Sequence, residues 1–292
     1  MSPAPDAVTT HELSMAWQHA FTWVTWGLVA AMLVAAIVLG RKHRTPFYLF
    51  AILAAGVAAF AEPLYDIAFD LHFYDYHNGE PGGMWSHFTA FGVVQPNWTH
   101  SGYIILYAGL ALYGGRALYQ GRIGRRGLFL IWLAEILTSC VFEVIGTATN
   151  VYTYWGAFEM RLWNYPAVIG VLEGTQVVLF TILAVNIWKR VESSWGLVGL
   201  MAAFPITFFG ANFGLGGPVI IALHLDDPAR SSGIVVAATL LSMALCAVAV
   251  YGASKFLPTR LNTASETFSE PAAALVSVEP DPDPDAPTPV AV

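Results

Sequence analysis

The chain has 292 residues, of which 56% are hydrophobic and only 11% are charged, and its mean hydropathy is +0.58. A soluble domain carries about 25% charged residues, so this composition excludes an ordinary soluble protein and predicts a polytopic membrane protein. The net charge of −7 owes much to the polar C-terminal tail and says little about partners. The lack of a basic stripe or a nucleic-acid-binding motif argues against a nucleic-acid partner.

Residues 1–18 are polar and lack the basic, apolar and small-residue regions of a cleaved signal peptide, so we expect the first span itself to direct insertion. Seven apolar segments follow, each near the ~20 residues that cross a hydrocarbon core. They lie at about residues 19–40, 47–69, 98–119, 128–150, 165–188, 195–223 and 232–256. We therefore expect an all-α bundle of seven transmembrane helices over residues 19–257. Residues 258–292 are rich in Pro, Asp and Ala, which predicts a disordered tail.

The orientation follows from the loops, because Lys and Arg mark the cytoplasmic side of short loops. Every second loop is basic, and the residues concerned are Arg41, Lys42, Arg44, Arg116, Arg122, Arg125, Arg126, Lys189, Arg190, Lys255 and Arg260. The sequence thus predicts an N-terminus outside and a C-terminus in the cytoplasm. We expect an integral protein of the bacterial cytoplasmic membrane.

Carboxylates within the spans are the candidate functional residues, because charged groups are costly in the bilayer. Glu62, Asp66 and Asp70 are spaced by four residues, so they share one face of the second span. The orientation puts Glu62 about seven residues, or roughly 10 Å, below the outer end. It puts Glu143 and Glu173 at a similar depth, with Asp66 nearer the outer membrane surface and Asp70 at the membrane–water interface.

Such a layer predicts acid and base catalysis on an apolar substrate, because burial favours the neutral acid and several carboxyls sharing one site divide into donor and acceptor. We expect Glu62 or Glu143 to act as the general acid, with Glu173 or Asp66 as the proton-accepting or orienting partner. A deeper acid, Glu135, has no partner in this layer and is expected to be structural. The chemistry needs no cofactor, and the outer histidines show no metal-site spacing.

The sixth span contains Pro205 and a glycine-rich run at residues 210–218, which predicts a broken helix with a cavity beside Asn212. The outer loops are aromatic, which fits either an interfacial belt or a lid over the cavity. The residues expected to bind substrate are Asn212, Tyr103, His100, Trp98, Tyr154, Trp155 and Trp163.

Several segments between residues 45 and 190 resemble one known family. They are Glu62-Pro63, residues 91–98 (FGVVQPNW), Phe142-Glu143, Asn164-Tyr165-Pro166 and residues 173–176 (EGTQ). Their order is similar to that of the AveC-like spirocyclases, which are actinobacterial membrane proteins. The resemblance implies dehydrative closure of a hydroxy-ketone polyketide to a spiroketal, with Glu62, Glu143 and Glu173 as the matching acids.

Two other functions fit the same sequence features. The seven-span layout with intramembrane acids is also similar to the integral membrane terpene cyclases, which implies protonation of an epoxide or alkene on an isoprenoid substrate. A proton-coupled transporter or a lipid-binding protein also uses intramembrane acids and a broken helix, although no inverted repeat is visible. For each acid taken alone, a hydrogen bond that fixes helix packing is the competing interpretation.

Overall fold

The computed structural model describes residues 4–226 and 229–259, and this part of the chain is mostly helical. The predicted disordered tail lies almost entirely outside the described residues. The helices are α1 (Asp6–Thr9), α2 (Met15–His43), α3 (Phe47–Ala58), α4 (Glu62–Ala68), α5 (Asn97–Tyr113), α6 (Gly115–Tyr119), α7 (Arg125–Ala148), α8 (Ala167–Arg190), α9 (Leu200–Phe208), α10 (Gly217–Leu223) and α11 (Ser232–Ala253). The strands are β1 (Leu71–Phe73), β2 (Ser86–Ala90), β3 (Val93–Pro96), β4 (Tyr152–Tyr154), β5 (Arg161–Leu162) and β6 (Tyr165–Pro166).

Six helical stretches of the described chain are long and apolar enough to cross a membrane. They are Met15–His43, Phe47–Ala68, Arg125–Ala148, Ala167–Arg190, Ser194–Leu215 and Ser232–Phe256. The remaining predicted span, residues 98–119, is divided between α5, which has 17 residues, and α6, which has five. The division falls at Gly114 and Gly115, because adjacent glycines weaken a helix. A Cβ atom on Gly115 would lie only 3.1 Å from the Phe47 ring.

Helix α8 lies at the centre of the bundle. In its most apolar window 83% of the residues are buried, compared with 17% in α2 at the periphery. It packs against α5, α6, α7, α9 and α11. Residues on α8 therefore face other helices, and a polar side chain there must find its partners within the protein.

Helices α7 and α8 approach closely through two glycines spaced by four residues. A Cβ atom on Gly170 would lie 2.7 Å from Cys140 Sγ, and one on Gly174 would lie 2.9 Å from the backbone nitrogen of Ile136. This small-xxx-small pattern allows helices in lipid to approach closely, where van der Waals packing drives association. The intervening Glu173 is thereby brought against α7.

Short antiparallel strand pairs cover the end of the bundle at which α4 and α7 finish. Strand β1 pairs with β4, with Leu71 opposite Tyr154, while β2 pairs with β3 and β5 with β6. Since β1 follows α4 and β4 follows α7, the first pair ties together the C-terminal ends of two helices that carry acids. Rings from these strands pack against α5, and the Phe73 and Trp98 centroids are 5.5 Å apart.

The sixth predicted span is irregular, as its sequence indicates. A 3₁₀ segment (Ser194–Gly199) leads into α9, which contains Pro205, and a π-helical segment (Phe209–Leu215) separates α9 from α10. The side chain of Asn212 lies in the π-helical segment and donates a hydrogen bond of 3.1 Å to the Phe208 carbonyl oxygen. The chain thus widens its helical turn at this depth and keeps its polar groups within the protein.

Replacing Gly174 with Ala is expected to separate α7 from α8. Because the added methyl group meets backbone atoms of Ile136, the free energy of unfolding should fall by about 1–3 kcal/mol. Denaturation of the purified protein by sodium dodecyl sulfate, followed by far-UV circular dichroism, measures the change.

The matched control is Gly27→Ala on α2, where an added Cβ has no neighbour within 4 Å. This variant should be as stable as the wild type or slightly more stable, because Ala favours helix. Equal stability of the two variants would show that the close approach of α7 and α8 is not required.

Candidate active site

A cavity of about 390 Å³ lies between the facing sides of α5 and α7, against α8 and beneath β1 and β4. The residues that line it are Glu62, Tyr65, Leu71, Phe73, Trp98, Thr99, Gly102, Tyr103, Ile105, Leu106, Tyr107, Gly109, Tyr113, Ala134, Glu135, Thr138, Ser139, Phe142, Glu143, Tyr152, Tyr154 and Glu173. The volume is in the range of small-molecule sites, and most of the wall is aromatic or aliphatic, as such sites usually are.

Three of the four predicted catalytic acids line this one cavity. Glu62 comes from α4, Glu143 from α7 and Glu173 from α8, so three separate helices bring carboxyl groups together. Glu62 and Glu173 are almost completely buried, with 7% and 5% of their surfaces exposed. The sequence predicted a common depth for these acids, and the helix rotations in the structure turn all three toward the same space.

Glu173 is held by hydroxyl donors from three parts of the chain. Ser139 donates a short hydrogen bond to Oε2, Tyr65 donates to Oε1 at 3.3 Å, and Tyr165 donates to Oε2 at 3.5 Å. Ser139 is on α7, so this hydrogen bond crosses the close glycine contact between α7 and α8. The carboxyl group of Glu173 is consequently fixed in position.

Glu143 accepts a hydrogen bond of 3.1 Å from the Tyr154 hydroxyl group of the β4 strand. The neighbouring ring of Tyr152 lies over Gly146, where a Cβ atom would approach its hydroxyl oxygen to 2.2 Å. Gly146, one turn after Glu143 on α7, thus leaves room for a second tyrosine above the acid. Helix α7 and its following strand build this corner of the cavity together.

Glu62 interacts with the Tyr103 hydroxyl group and with the carboxyl group of Asp66. Asp66 does not line the cavity. Its side chain is fully buried, and it accepts a hydrogen bond of 2.6 Å from Gln95. Asp66 is therefore placed to orient Glu62 from behind, within the protein.

Glu135 was expected to be structural because it has no partner in the layer of the other three glutamates. It accepts a short hydrogen bond from Tyr113 and also lines the cavity. It lies two turns of α7 from Glu143, on the same face. The lining residues of α7 form one helical stripe, namely Ala134, Glu135, Thr138, Ser139, Phe142 and Glu143.

The predicted substrate-binding residues divide into two groups. Tyr103, Trp98 and Tyr154 line the cavity, whereas the other four do not. Of these, Asn212 is completely buried and Trp163 is 79% exposed. The ring of His100 packs on those of Phe60 and His87, and the fourth residue is Trp155. Depth alone had suggested Asn212 and His100, but their helix faces point elsewhere.

Sequence reasoning missed the lining residues that carry hydroxyl groups apart from Tyr103 and Tyr154, and it gave Glu135 a structural role. The missed residues are Tyr65, Thr99, Tyr107, Tyr113, Thr138, Ser139 and Tyr152. A signal for some of them was present in the helical spacing. Residues four and eight positions before Glu143 lie near its face of the helix, and they are Ser139 and Glu135. Tyr107 follows Tyr103 by four residues in the same way.

The C-terminal end of α4 carries a contact that the sequence did not predict. Asp70 was expected at the solvated interface, but it is only 7% exposed, and its Oδ1 lies 3.3 Å from His224 Nε2. The nearby carboxylate of Asp70 raises the pKa of His224, with a further contribution from the carbonyl group of Ile220. The pair joins the end of α4 to the end of α10.

Arg161 holds the loop that follows β4, and we refer to β1, β4 and this loop as the roof of the cavity. Its guanidinium group donates to the backbone carbonyl oxygens of Tyr154, Gly156, Phe158 and Asn164. Burial lowers the pKa of Arg161 from its usual value. Arg161 thus braces the loop from residue 154 to residue 164. None of the residues named as lining the cavity is Lys, Arg or His.

Within the described ranges, no group of three or more His, Cys, Asp and Glu side chains is arranged to hold a metal ion. Comparison with known proteins gives no match, since no protein family, no curated protein and no solved structure is significantly similar to the chain. The resemblance to the AveC-like spirocyclases therefore stays a prediction from the sequence.

The Asp70–His224 contact is expected to make stability depend on pH. Because the folded-state pKa of His224 is raised, the stabilisation is complete below the unfolded value of about 6.5 and is lost as pH rises through the folded value. We expect a loss on the order of 1 kcal/mol between about pH 5.5 and pH 8.5. Thermal denaturation in detergent across this interval measures it.

The variant His224→Gln should lose this part of the pH dependence. The control is His87→Gln, an exposed histidine on β2, which should retain it. A pH profile that is unchanged in His224→Gln would contradict the assignment.

Proposed function

We propose that the protein is a membrane-embedded cyclase that closes a ring on an apolar substrate by acid and base catalysis. The observation that carries the proposal is the convergence of Glu62, Glu143 and Glu173, from three helices, on one largely apolar cavity. Burying several carboxyl groups costs free energy that a purely structural role does not require. Clusters of acids in a water-poor pocket are typical of proton-transfer sites.

The hydrogen-bond partners suggest different roles for the acids. Three hydroxyl groups donate hydrogen bonds to Glu173. Among the three glutamates its ionised form is therefore the most stabilised, which suits it to accept a proton. Glu143 has Tyr154 as its donor, and Glu62 interacts with Tyr103 and Asp66. We assign the general acid to Glu62 or Glu143 and the accepting role to Glu173, with Asp66 orienting Glu62.

The reaction we favour is dehydrative closure of a dihydroxy-ketone, which first adds one of its hydroxyl groups to the carbonyl carbon to give a hemiketal. The general acid then protonates the hemiketal hydroxyl group, whose C–O bond breaks to release water and leave an oxocarbenium ion. The second hydroxyl oxygen forms a new C–O bond to the same carbon and gives its proton to the carboxylate of Glu173. The product is a spiroketal, and the substrate has taken one proton from the general acid and given one to Glu173.

The aromatic wall supports a cationic intermediate. Tyr65, Tyr103, Tyr107, Phe73 and Trp98 line the cavity, and aromatic faces attract positive charge, more strongly when water is excluded. The same wall favours the integral membrane terpene cyclase reaction, in which an acid protonates an epoxide or alkene of an isoprenoid. The two reactions share the proton donors and differ in substrate, so comparing a hydroxy-ketone with a prenylated epoxide separates them.

We further propose seven membrane crossings in the bacterial cytoplasmic membrane, with the N-terminus outside and the C-terminus in the cytoplasm. The interrupted pair α5 and α6 is the seventh. In support, Trp98 at its start packs against Tyr152 of the roof, whereas Tyr119 at its end packs against Trp188 near the basic end of α8. The pair thus runs alongside α8 over the same distance.

The variants Glu62→Gln and Glu143→Gln should each lower turnover of a cyclised substrate by at least about 100-fold, because a positioned acid or base contributes about 10²–10⁴. Mass spectrometry of products from purified protein in nanodiscs, supplied with hydroxy-ketone and prenylated epoxide substrates, measures turnover. Glu159→Gln is the matched control, since Glu159 is exposed in the outer loop, and it should keep full activity. Folded Glu62→Gln and Glu143→Gln variants with undiminished turnover would overturn the assignment.

A further inference from the structure

The cavity has an opening on the side of the bundle. Three of its lining residues are exposed to the surroundings, namely Tyr113 on α5 and Ala134 and Thr138 on α7. Tyr113 is 65% exposed although it lines the cavity. We refer to the gap edged by these three residues as the lateral opening.

The lateral opening lies at the depth of the hydrocarbon layer. Thr138 is near the middle of the apolar stretch Arg125–Ala148, about ten residues or roughly 15 Å from its outer end. Its neighbours Leu133, Leu137 and Val141 are large apolar residues with more than half of their surfaces exposed, as expected for a lipid-facing surface. A molecule dissolved in the bilayer therefore meets the cavity directly at this position.

The lateral opening has a polar group at its rim. Tyr113 donates its hydrogen bond to Glu135, whose surface is only 6% exposed. Glu135 precedes Glu143 by eight residues on α7, which corresponds to roughly 12 Å along the helix axis. Leu106, Ile105 and Phe142 line the space together with these acids. The cavity is thus elongated, with polar groups toward both ends and apolar side chains between them.

We propose that substrate enters from the bilayer through the lateral opening, and that the Tyr113–Glu135 pair binds an oxygen function of the substrate remote from the reacting end. The substrate class is a membrane-dissolved, chain-like molecule with oxygen functions at two separated positions, of which one is held at the rim. This inference rests on the proposed function only in taking the end with Glu62, Glu143 and Glu173 as the reacting end.

Two-point binding is tested without catalysis by comparing tritiated decane-1,10-diol with decan-1-ol, in equilibrium binding to the protein in nanodiscs after subtraction of empty nanodiscs. The wild type should bind the diol about tenfold more tightly, because one extra hydrogen bond to a buried group contributes about 1.4 kcal/mol. In Tyr113→Phe with Glu135→Gln, this preference should fall below about twofold, while decan-1-ol binds as before.

Two results would overturn the two-point binding. The first is a diol preference that persists in the double variant. The second is an equal loss of affinity for both probes, which a merely structural role of the pair would produce. The variant Phe142→Leu serves as the control for the shape of the cavity, because it lines the same space without a polar group. It should shift both probes alike.

Lateral access is tested by placing a large side chain at the rim. Thr138→Trp should slow association of bilayer-dissolved decane-1,10-diol by about tenfold or more, since a bulky ring at the rim obstructs the path. Leu137→Trp adds the same ring on the lipid-facing side of α7, at a residue that is 58% exposed and outside the lining, and it should leave the rate unchanged. Equal rates in both variants would show that the probe enters elsewhere.

The outcomes separate this inference from the proposed function. If the wild type shows no preference for the diol but its turnover depends on Glu62 and Glu143, only the two-point binding is overturned. If turnover is unchanged in the Glu62 and Glu143 variants, while the wild type prefers the diol and Thr138→Trp slows association of the probe, only the proposed cyclase is overturned.

Discussion

The close contact of α7 with α8 at Gly170 and Gly174 is the constraint on which the rest of the site depends. Helices in lipid gain no hydrophobic driving force from association, so tight van der Waals packing between small residues carries much of the stabilisation. The same contact brings Ser139 within hydrogen-bond reach of Glu173. If α7 moved outward, Glu173 would lose a donor and the stripe of lining residues on α7 would rotate or withdraw.

A second constraint is that buried carboxyl groups need hydrogen-bond partners, and tyrosine supplies most of them here. Its ring fills space like an apolar residue while its hydroxyl group reaches a carboxyl oxygen. Tyr65, Tyr154 and Tyr113 each bind a different glutamate. The strand β4 provides one of these tyrosines, so the segment between α7 and α8 determines the surroundings of an acid within the bundle.

Part of this arrangement was accessible from the sequence. Apolar length and loop charge gave the helices and a common depth for Glu62, Glu143 and Glu173, because these quantities depend only on distance along the chain. Helix rotation about the axis is set by packing, so depth alone also selected Asn212 and His100, which do not line the cavity. The contact of Asp70 with His224 joins residues far apart in the chain and had no local signal. The stripe from Glu135 to Glu143 was readable by helical spacing alone.

The absence of Lys, Arg and His from the residues that line the described cavity has a consequence for what it is able to release. A lone negative charge in an apolar space has little to compensate it, so the proposed reaction would have to leave the total number of protons on the glutamates unchanged after each cycle. Reactions that leave an acidic or basic product behind would disturb this balance. Rearrangements and eliminations of neutral molecules, such as water, would not, and the cavity would be ready again once the proton had passed from Glu173 back to the general acid.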